Sequence, residues 1–416
     1  MHKTGNDIET AEIVEGGRLY TRRFFEAFAA VALFMTGLAL QFHFGQYLEF
    51  RGHGVDVLGR VMAISTIGAL VIRLQIGHWI DRFGCRPSWV IGASVTAVAV
   101  GAMQFAESLW MITALQTLTK AAAAVVMTTF AVFAAQIAPP GRRAESIGTM
   151  GMAGFTGMLV GPTLGDWVFS GDNTSIAPFR VFFTASAACA LAAALAMLVV
   201  KLPKPVKAER SGQDQAVSRL TIIIRHWPGM VLLVGFFFSM AFCMQMVFLE
   251  RLAEHAGFKD IKLFFLVYSP TAMTLRLVFR TAPQRFGRGR TLVGGMMLVS
   301  VGLCCLLGIR SQWQLIPAAI LIGAGHCFVF PSLVDLAASR LPDTHRGMGT
   351  SIIFGAGDLG MLTGFWLLGE LIDNFGFNVA IVALSSGVLA SALLFALTRS
   401  PVSLGTPAER QAIDRA

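Results

Sequence analysis

Runs of about twenty apolar residues recur along the whole chain, and no other feature restricts its fold as strongly. Hydrophobic residues make up 55% of the 416 residues and charged residues only 14%, whereas a soluble domain carries about 25% charged residues. A helical run of this length matches the thickness of the bilayer's hydrocarbon core. In lipid the backbone must satisfy its own hydrogen bonds, and the runs are too long for barrel strands. We therefore predict an all-α integral membrane protein.

The sequence predicts twelve transmembrane helices in two sets of six. The predicted spans are 24–48, 57–80, 88–107, 109–136, 145–169 and 179–200 in the first set, and 228–249, 263–283, 291–309, 313–338, 348–371 and 378–397 in the second. The longest polar stretch, 201–226, lies between the sets and is predicted to link two six-helix bundles, 24–200 and 227–397. Residues 1–23 and 398–416 are predicted tails. The first tail lacks the apolar core of a secretory signal, so no cleaved leader is expected.

The basic residues indicate the orientation in the membrane. Roughly 22 of the 33 Lys and Arg residues lie in the loops of one side and roughly 7 in those of the other, and the richer side is normally cytoplasmic. Both tails and the linker are therefore predicted to be cytoplasmic. Because topology explains the net charge of +9, we expect no nucleic-acid partner. The six cysteines lie in apolar runs or in the turn after Asp81 and are predicted to be reduced packing residues.

The two halves of the chain are copies of one unit. Three landmarks recur at an offset of 203 residues: Arg73-Leu74 with Arg82-Phe83-Gly84 matches Arg276-Leu277 with Arg285-Phe286-Gly287, Pro139 and Arg143 match Pro342 and Arg346, and the glycine-rich stretch 153–161 matches 356–364. One offset shared by three landmarks indicates an internal repeat of about two hundred residues. Internal repeats of transmembrane helices are typical of secondary transporters.

The loop after the second span carries a specific motif, whose residues are Gly77, Asp81, Arg82, Gly84 and Arg86. It resembles the signature between the second and third helices of the major facilitator superfamily. The resemblance implies the two-bundle fold of that family and a loop that gates the cytoplasmic side. Physically, a glycine at 84 permits a tight turn, and Asp81 can meet a helix N-terminus or an arginine of the other half. An ordinary basic turn is the alternative.

The second copy of this loop is degraded. Arg280 replaces the first glycine, Gln284 replaces the aspartate, and Pro283 intrudes. We therefore assign it no gating role.

The fifth span contains Gly157-x-x-x-Gly161-Pro162-x-x-Gly165. This stretch resembles the antiporter signature of the family's drug:proton efflux branch, with Asp166 in place of the final glycine. The resemblance implies antiport, with the fifth helix as a hinge between the halves. Tight helix packing along the glycine stripe is the alternative.

Charged residues near the middle of a span are functional candidates, because each costs about 2.5–3.5 kcal/mol on insertion scales. Asp358, in the eleventh span, is the predicted proton carrier, with Glu26 near the start of the first span as a second candidate. Resemblance places the fourth and tenth helices along the substrate cavity, and with them Lys120 and His326. The alternatives are an ion pair for Asp358, a permanently paired lysine and a hydrogen-bonded core histidine.

Four further polar residues are predicted to line the cavity: Gln41, His43, Gln116 and Gln245. A polar contact between helices is the alternative for Gln41, His43 and Gln245. In the efflux branch an arginine is followed four residues later by a glycine in the fourth helix, and here Gln116 and Lys120 occupy those positions. The basic group is thus displaced by one helical turn. This departure leaves the family's proton-relay assignments open and makes an anionic substrate one alternative.

We predict a transporter that exports a small organic molecule in exchange for protons, by alternating access, and that is not an enzyme. Motifs of the GxxxxGK[ST], HExxH and GxSxG types are absent, and the GxGxxG at 355–360 follows no strand. No cofactor and no metal are expected. The expected partners are the substrate, protons and the bilayer of a bacterial inner membrane, with the protein as a monomer. Uptake of an anionic metabolite, with Lys120 as its counter-charge, and a non-transporting sensor are the alternatives.

Overall fold

The computed structural model describes residues 19–138, 143–171, 175–200, 229–258, 260–279, 282–338 and 346–398. Nearly all of these residues are helical, and no strand occurs among them. We number the helices after the predicted spans: α1 Arg22–Phe50, α2 Val55–Phe83, α3 Cys85–Ala102, α4 Leu109–Gln136, α5 Arg143–Val168, α6 Ala177–Val199, α7 Met230–His255, α8 Lys262–Val278, α9 Arg288–Cys304, α10 Leu315–Ala338, and α11 and α12 as the two parts of Arg346–Leu397.

Local breaks interrupt several of these helices. A tight turn at Gln41–His43 lies within α1, and a wider π-helical turn at Met244–Phe248 lies within α7. Gly376, with a φ of 82°, separates α11 from α12. The described residues thus have a helix at every predicted position. Eight stretches are long and apolar enough to cross a membrane by themselves, and the count of twelve crossings stays a prediction.

A glycine with positive φ stands just before the next long helix in both copies of the inner loop, the one after α2 and the one after α8. The helix α2 stops at Phe83, and Gly84 has a φ of 84°. In the second copy α8 stops at Val278, a short helix Ala282–Phe286 follows, and Gly287 has a φ of 87°. Positive φ values of this size are easily adopted only by glycine. The degraded copy therefore keeps the turn geometry, and the added proline lies in the first turn of the short helix, where proline is tolerated.

The helices of each half pack mainly against one another. In the first half α1 packs on α5 and α6, α2 packs on α4, and α3 packs on α4 and α6. In the second half α7 packs on α11, α8 packs on α10, and α9 packs on α10 and α12. The halves meet mainly along two seams, α2 against α11 and α5 against α8, with a smaller contact between the outer ends of α1 and α7. The 203-residue repeat relates α2 to α8 and α5 to α11, so it converts one seam into the other. The interface between the halves therefore has approximate two-fold symmetry.

The outer surface carries apolar side chains that a soluble protein would bury. Val98, for example, is 71% exposed. Three exposed tryptophans, Trp110, Trp167 and Trp313, lie at helix ends on one side of the bundle, and tryptophan prefers the boundary between lipid and water. Following the predicted topology, we call this side the outer end and the side that carries Gly84 the inner end. The exposed surface suits a lipid environment.

Candidate functional site

Asp358 lies at the seam between α2 and α11 and is bound to an arginine of the first half. Arg73 on α2 forms an ion pair with it through Nε, and Nη2 of Arg73 lies 3.3 Å from Oδ1. The Asp358 side chain is only 8% exposed. The guanidinium also lies over the ring of Phe354, 5.3 Å from its centroid, and donates to Thr128 on α4 across 3.4 Å. The predicted proton carrier is therefore half of an ion pair that joins the two halves.

Arg73 was not among the predicted site residues. The sequence does mark Arg73 as a functional candidate, because an arginine within a span is as costly to insert into the membrane as an aspartate.

Lys120 lies where α4, α2 and α11 meet. Its Nζ donates to the carbonyl oxygen of Met62 across 2.8 Å and to Oγ1 of Thr66 across 3.0 Å, and it lies 4.1 Å from the centroid of the Phe365 ring. Within the described ranges no carboxylate is close enough to form an ion pair with it. Gln116 lies one turn away, is buried, and contacts Met62 Sδ at 3.5 Å. Lys120 thus donates hydrogen bonds to two oxygens of α2 and has no carboxylate partner among the described residues.

His326 on α10 is enclosed by aromatic rings. Its Nδ1 shares a hydrogen bond with the hydroxyl of Tyr268 on α8. Four phenylalanine rings surround the imidazole, with centroid distances between 5.0 and 6.2 Å: Phe155, Phe238, Phe242 and Phe330. Phe155 belongs to α5 of the first half, so the cluster also crosses the seam. This environment agrees with the core-histidine alternative more closely than with a polar substrate contact.

Arg276 on α8 is the repeat counterpart of Arg73, but no described carboxylate pairs with it. It faces Gly148 on α5, where an added Cβ would lie 2.9 Å from its Nη2. The counterpart of Asp358 is Phe155, so the repeat places no carboxylate at the position equivalent to Asp358. Among the described residues Arg276 makes no ion pair and no hydrogen bond. This second cation without a partner was also missed from the sequence.

His43 is buried between two carboxylates at the outer end. Its Nε2 lies 2.8 Å from Oδ1 of Asp166 on α5, and its Nδ1 lies 3.4 Å from Oε1 of Glu250 on α7. Gln46 on α1 donates to the same Glu250 oxygen across 2.7 Å. The three side chains of the triad His43, Asp166 and Glu250 are each at most 2% exposed. This triad was not predicted as a unit, because its members lie on three separate helices.

Further polar contacts surround this triad, between α1 and α7 and at the seam between α5 and α8. Arg251 on α7 binds Glu49 and the carbonyl oxygen of Gly45 on α1, and its Nη1 lies 2.8 Å from Glu254. At the second seam the backbone N–H of Lys262 donates to Oδ2 of Asp166 across 2.6 Å. The outer ends of α1 and α7 and of α5 and α8 are thus held together by polar contacts.

The remaining predicted polar residues lie away from such clusters. Gln41 donates to Oγ of Ser186 on α6 across 3.1 Å, inside the first half. Gln245 is buried in the π-helical turn, and its Oε1 has no hydrogen-bond partner. Glu26 pairs at 2.8 Å with Arg22, whose side chain is 92% exposed. The structure therefore places Glu26 in a surface ion pair near the inner end.

Only part of the predicted gating loop can be described. Arg82 is exposed, and its guanidinium lies 5.3 Å from the centroid of the Phe83 ring, whereas Arg86 is half-buried at the start of α3. The side chain of Asp81 and the surroundings of Gly77 lie outside the described part of the chain. The role of this loop in gating the cytoplasmic side stays a prediction.

The glycines of the fifth helix allow close contact with α1. A Cβ added to each would lie 2.8 Å from the Met35 oxygen at Gly157, 2.7 Å from the Leu40 nitrogen at Gly161 and 2.6 Å from the His43 ring at Gly165. Pro162 lies inside the same helix. The stripe therefore packs α5 within the first half, and its proposed part in antiport is not tested by this geometry.

Comparisons with known proteins agree with this architecture. A sequence model of the Major Facilitator Superfamily matches residues 24–282 and 231–415. "Multidrug resistance protein 1" of Bacillus subtilis is 23% identical over 80% of this chain and 85% of its own length. The "Probable actinorhodin transporter" of Streptomyces coelicolor is 22% identical over 77% of this chain and 66% of its own length.

Solved structures with a similar fold include transporters for different substrates. A D-xylose-proton symporter superposes with a TM-score of 0.75 at 15% identity, covering 92% of this chain and 99% of its own. The nucleoside transporter NupG gives a TM-score of 0.69 at 12% identity, covering 90% of this chain and 100% of its own. At such low identity the agreement concerns the fold.

Proposed function

The chain belongs to the major facilitator superfamily, and from that membership we propose that it exports a small organic molecule in exchange for protons. Membership in this family makes the protein a multi-pass membrane transporter and not an enzyme. Export is supported by the names of two relatives, a multidrug resistance protein and an actinorhodin transporter. In the proposed cycle the halves 24–200 and 227–397 rock about a central substrate path, with the tails and linker in the cytoplasm and the protein acting as a monomer.

The ion pair between Arg73 and Asp358 carries the proton-coupling part of the proposal. It joins α2 to α11, so the halves cannot separate at this seam while the two charges remain paired. Leaving one of these charges unpaired in a low-dielectric site is costly. A proton on Asp358 removes one of the charges and weakens the attraction. Asp358 is thus positioned to link proton binding to movement of the halves, and Glu26, in its exposed pair, is a weaker candidate.

The substrate path is proposed to run past Lys120 and His326. Lys120 offers an amine that has no carboxylate partner among the described residues, and the aromatic cluster around His326 offers an apolar surface that both halves share. Gln116 and Gln245 add buried amide oxygens without partners. His43 and Gln41 lie farther toward the outer end.

The proposal is tested with purified protein in liposomes under an imposed pH gradient, followed with a pH-sensitive dye. A panel of drugs, sugars and organic anions is added to the wild type and to Asp358→Asn. We expect one or more compounds to evoke proton movement in the wild type and the variant to lose it. Proton movement that persists in the variant would contradict the role of Asp358. Silence of the wild type across the panel would contradict coupled transport and favour the sensor alternative.

Proton-coupled uptake of an anionic metabolite is a second candidate function. It is favoured by Lys120 and Arg276, two cations that have no carboxylate partner among the described residues. In the same assay Lys120→Gln separates the two functions. Uptake of an anion would collapse in this variant, whereas export of a neutral or cationic drug would survive.

A further inference from the structure

The buried triad at the outer end has more hydrogen-bond acceptors than its protons can satisfy. Each ring nitrogen of His43 faces a carboxylate oxygen. A neutral imidazole has one N–H and one lone pair, and an ionised carboxylate only accepts hydrogen bonds. With both acids ionised and the imidazole neutral, a lone pair of His43 would therefore face a carboxylate oxygen. One more proton, shared among Asp166, His43 and Glu250, would supply the missing donor.

Glu250 is the member with the fewest compensating contacts. Its Oε2 is buried without a hydrogen-bond partner, while Oε1 accepts a hydrogen bond from the amide of Gln46 and lies 3.4 Å from Nδ1 of His43, which itself has no hydrogen-bond partner. Asp166 in contrast receives the backbone N–H of Lys262. An ionised carboxylate without partners is strongly disfavoured in a buried site. Glu250 is thus the acid whose ionisation would disturb the cluster most.

The surrounding charges make the cluster negative overall. The charged groups that pack around the triad are Glu49 on α1, Arg251 and Glu254 on α7, and Asp260 and Lys262 at the start of α8. Arg251 is shared between Glu49 and Glu254, and Lys262 Nζ is bound to Asp260 at 2.9 Å. Among the described residues, the carboxylates of this region therefore outnumber the cations, and both cations are shared with carboxylates outside the triad. Within the described ranges no group of side chains has the arrangement of a metal site.

We propose that His43, Asp166 and Glu250 form a proton-binding site that locks the outer end of the transporter, distinct from the Arg73–Asp358 pair. The triad joins α1 and α5 of the first half to α7 of the second, and Asp166 also holds the start of α8. Losing the shared proton leaves two buried anions facing one neutral imidazole. Separation of the halves then lets water solvate the anions, so the unprotonated state favours opening.

The sign of the pH dependence follows from this linkage. The closed outer end binds one proton more than the open outer end, so a falling pH raises the closed population. This inference rests on the alternating access proposed above. It concerns the conformation of the outer end and can be tested without a substrate.

The test measures the distance across the outer end at a series of pH values. Spin labels are placed at Glu107→Cys and Arg310→Cys, exposed positions in outer loops of opposite halves. Cys189, Cys304 and Cys305, the cysteines that are not buried, are replaced by alanine. Double electron–electron resonance in lipid nanodiscs then reports the distance between the labels. We expect a short distance at acidic pH and a growing population at longer distance as the pH rises.

Two variants decide whether the triad is responsible. Glu250→Gln keeps the shape of the side chain and carries no charge, so the short distance should persist at every pH. Glu49→Gln, the matched control, removes a carboxylate of the same cluster that is 61% exposed, and its pH dependence should follow the wild type. A wild type without pH dependence, or a Glu250→Gln variant that still opens at high pH, would overturn the proposal. Either result could accompany normal transport in the liposome assay, so it would leave the proposed function standing.

Discussion

Single charges at the two seams decide how strongly the halves are held together. Arg73 and Asp358 form an ion pair between α2 and α11, whereas Arg276 has no such partner among the described residues of α8 and α5. The repeat places the two arginines at equivalent positions, but Phe155 stands where the second aspartate would be. One ancestral position thus became an ion pair in one copy and an aromatic contact in the other.

Removing Arg73 should destabilise the protein more than removing the whole pair. Arg73→Gln leaves Asp358 charged in a largely buried site, which costs about 3 kcal/mol. The double variant Arg73→Gln, Asp358→Asn removes both charges and should regain most of that loss. The midpoint of thermal unfolding in detergent measures the effect. Equal stability of the single and double variants would contradict a buried, mutually dependent pair.

The sequence identified one partner of the central ion pair but not the other. Asp358 was recognisable because a carboxylate in the middle of an apolar run has few explanations. Its partner lies 285 residues away on another helix, and no local spacing predicts which arginine will meet it. The triad was missed for the same reason, since Asp166 appeared only as a departure from a glycine motif. Tertiary packing, rather than local pattern, brings these groups together.

At the level of helices, glycine spacing controls how closely neighbours approach. The stripe on α5 packs on α1, and its repeat on α11 packs on α7, where a Cβ at Gly364 would lie 2.9 Å from Met240 Cγ. Helix contacts in lipid depend on such small residues, because apolar burial alone gives little preference between helix and lipid. The sequence predicted the stripe and its repeat, while the identity of the neighbouring helices came from the structure.

Two alanine substitutions in α5 should have opposite effects. At Gly161 a Cβ would lie 2.7 Å from the backbone of α1, so Gly161→Ala should destabilise the protein by about 1–3 kcal/mol. At Gly154 nothing lies within 4 Å, so the same change should be neutral or stabilise the helix by about 0.5–1 kcal/mol. Unfolding midpoints of the two variants, measured side by side, check this. A loss of stability at Gly154 equal to that at Gly161 would contradict the packing explanation.

At the level of the whole molecule, the repeat also organises the surface that meets the membrane. Trp110 and Trp313 lie 203 residues apart, both are more than 60% exposed, and both precede or begin a helix at the outer end. The fold, the repeat and the membrane location followed from composition and spacing. The count of twelve crossings and the orientation stay predictions, because helix positions alone do not show which side of a bilayer a loop occupies.

The two tryptophans should sit at the same depth in the bilayer. Two variants that each keep only one of them, with phenylalanine at the other six tryptophan positions, are reconstituted with lipids brominated at different positions along the acyl chain. Fluorescence should be quenched most by bromine near the headgroups and equally in both variants. Strong quenching by bromine near the chain ends, in either variant, would contradict the assignment of an interfacial ring.

Because Trp110 and Trp313 lie at the boundary between lipid and water, the thickness of the bilayer should affect the transport cycle. Each is attached to a different half, so spreading of the outer end must move the two rings apart and tilt the helices that carry them. Tilting changes the hydrophobic length that the protein presents to the bilayer, and each ångström of mismatch costs a fraction of a kcal/mol. Membrane thickness should therefore shift the equilibrium between the outward-open and inward-open conformations. The tryptophans transmit this effect because they hold each half at the boundary between lipid and water.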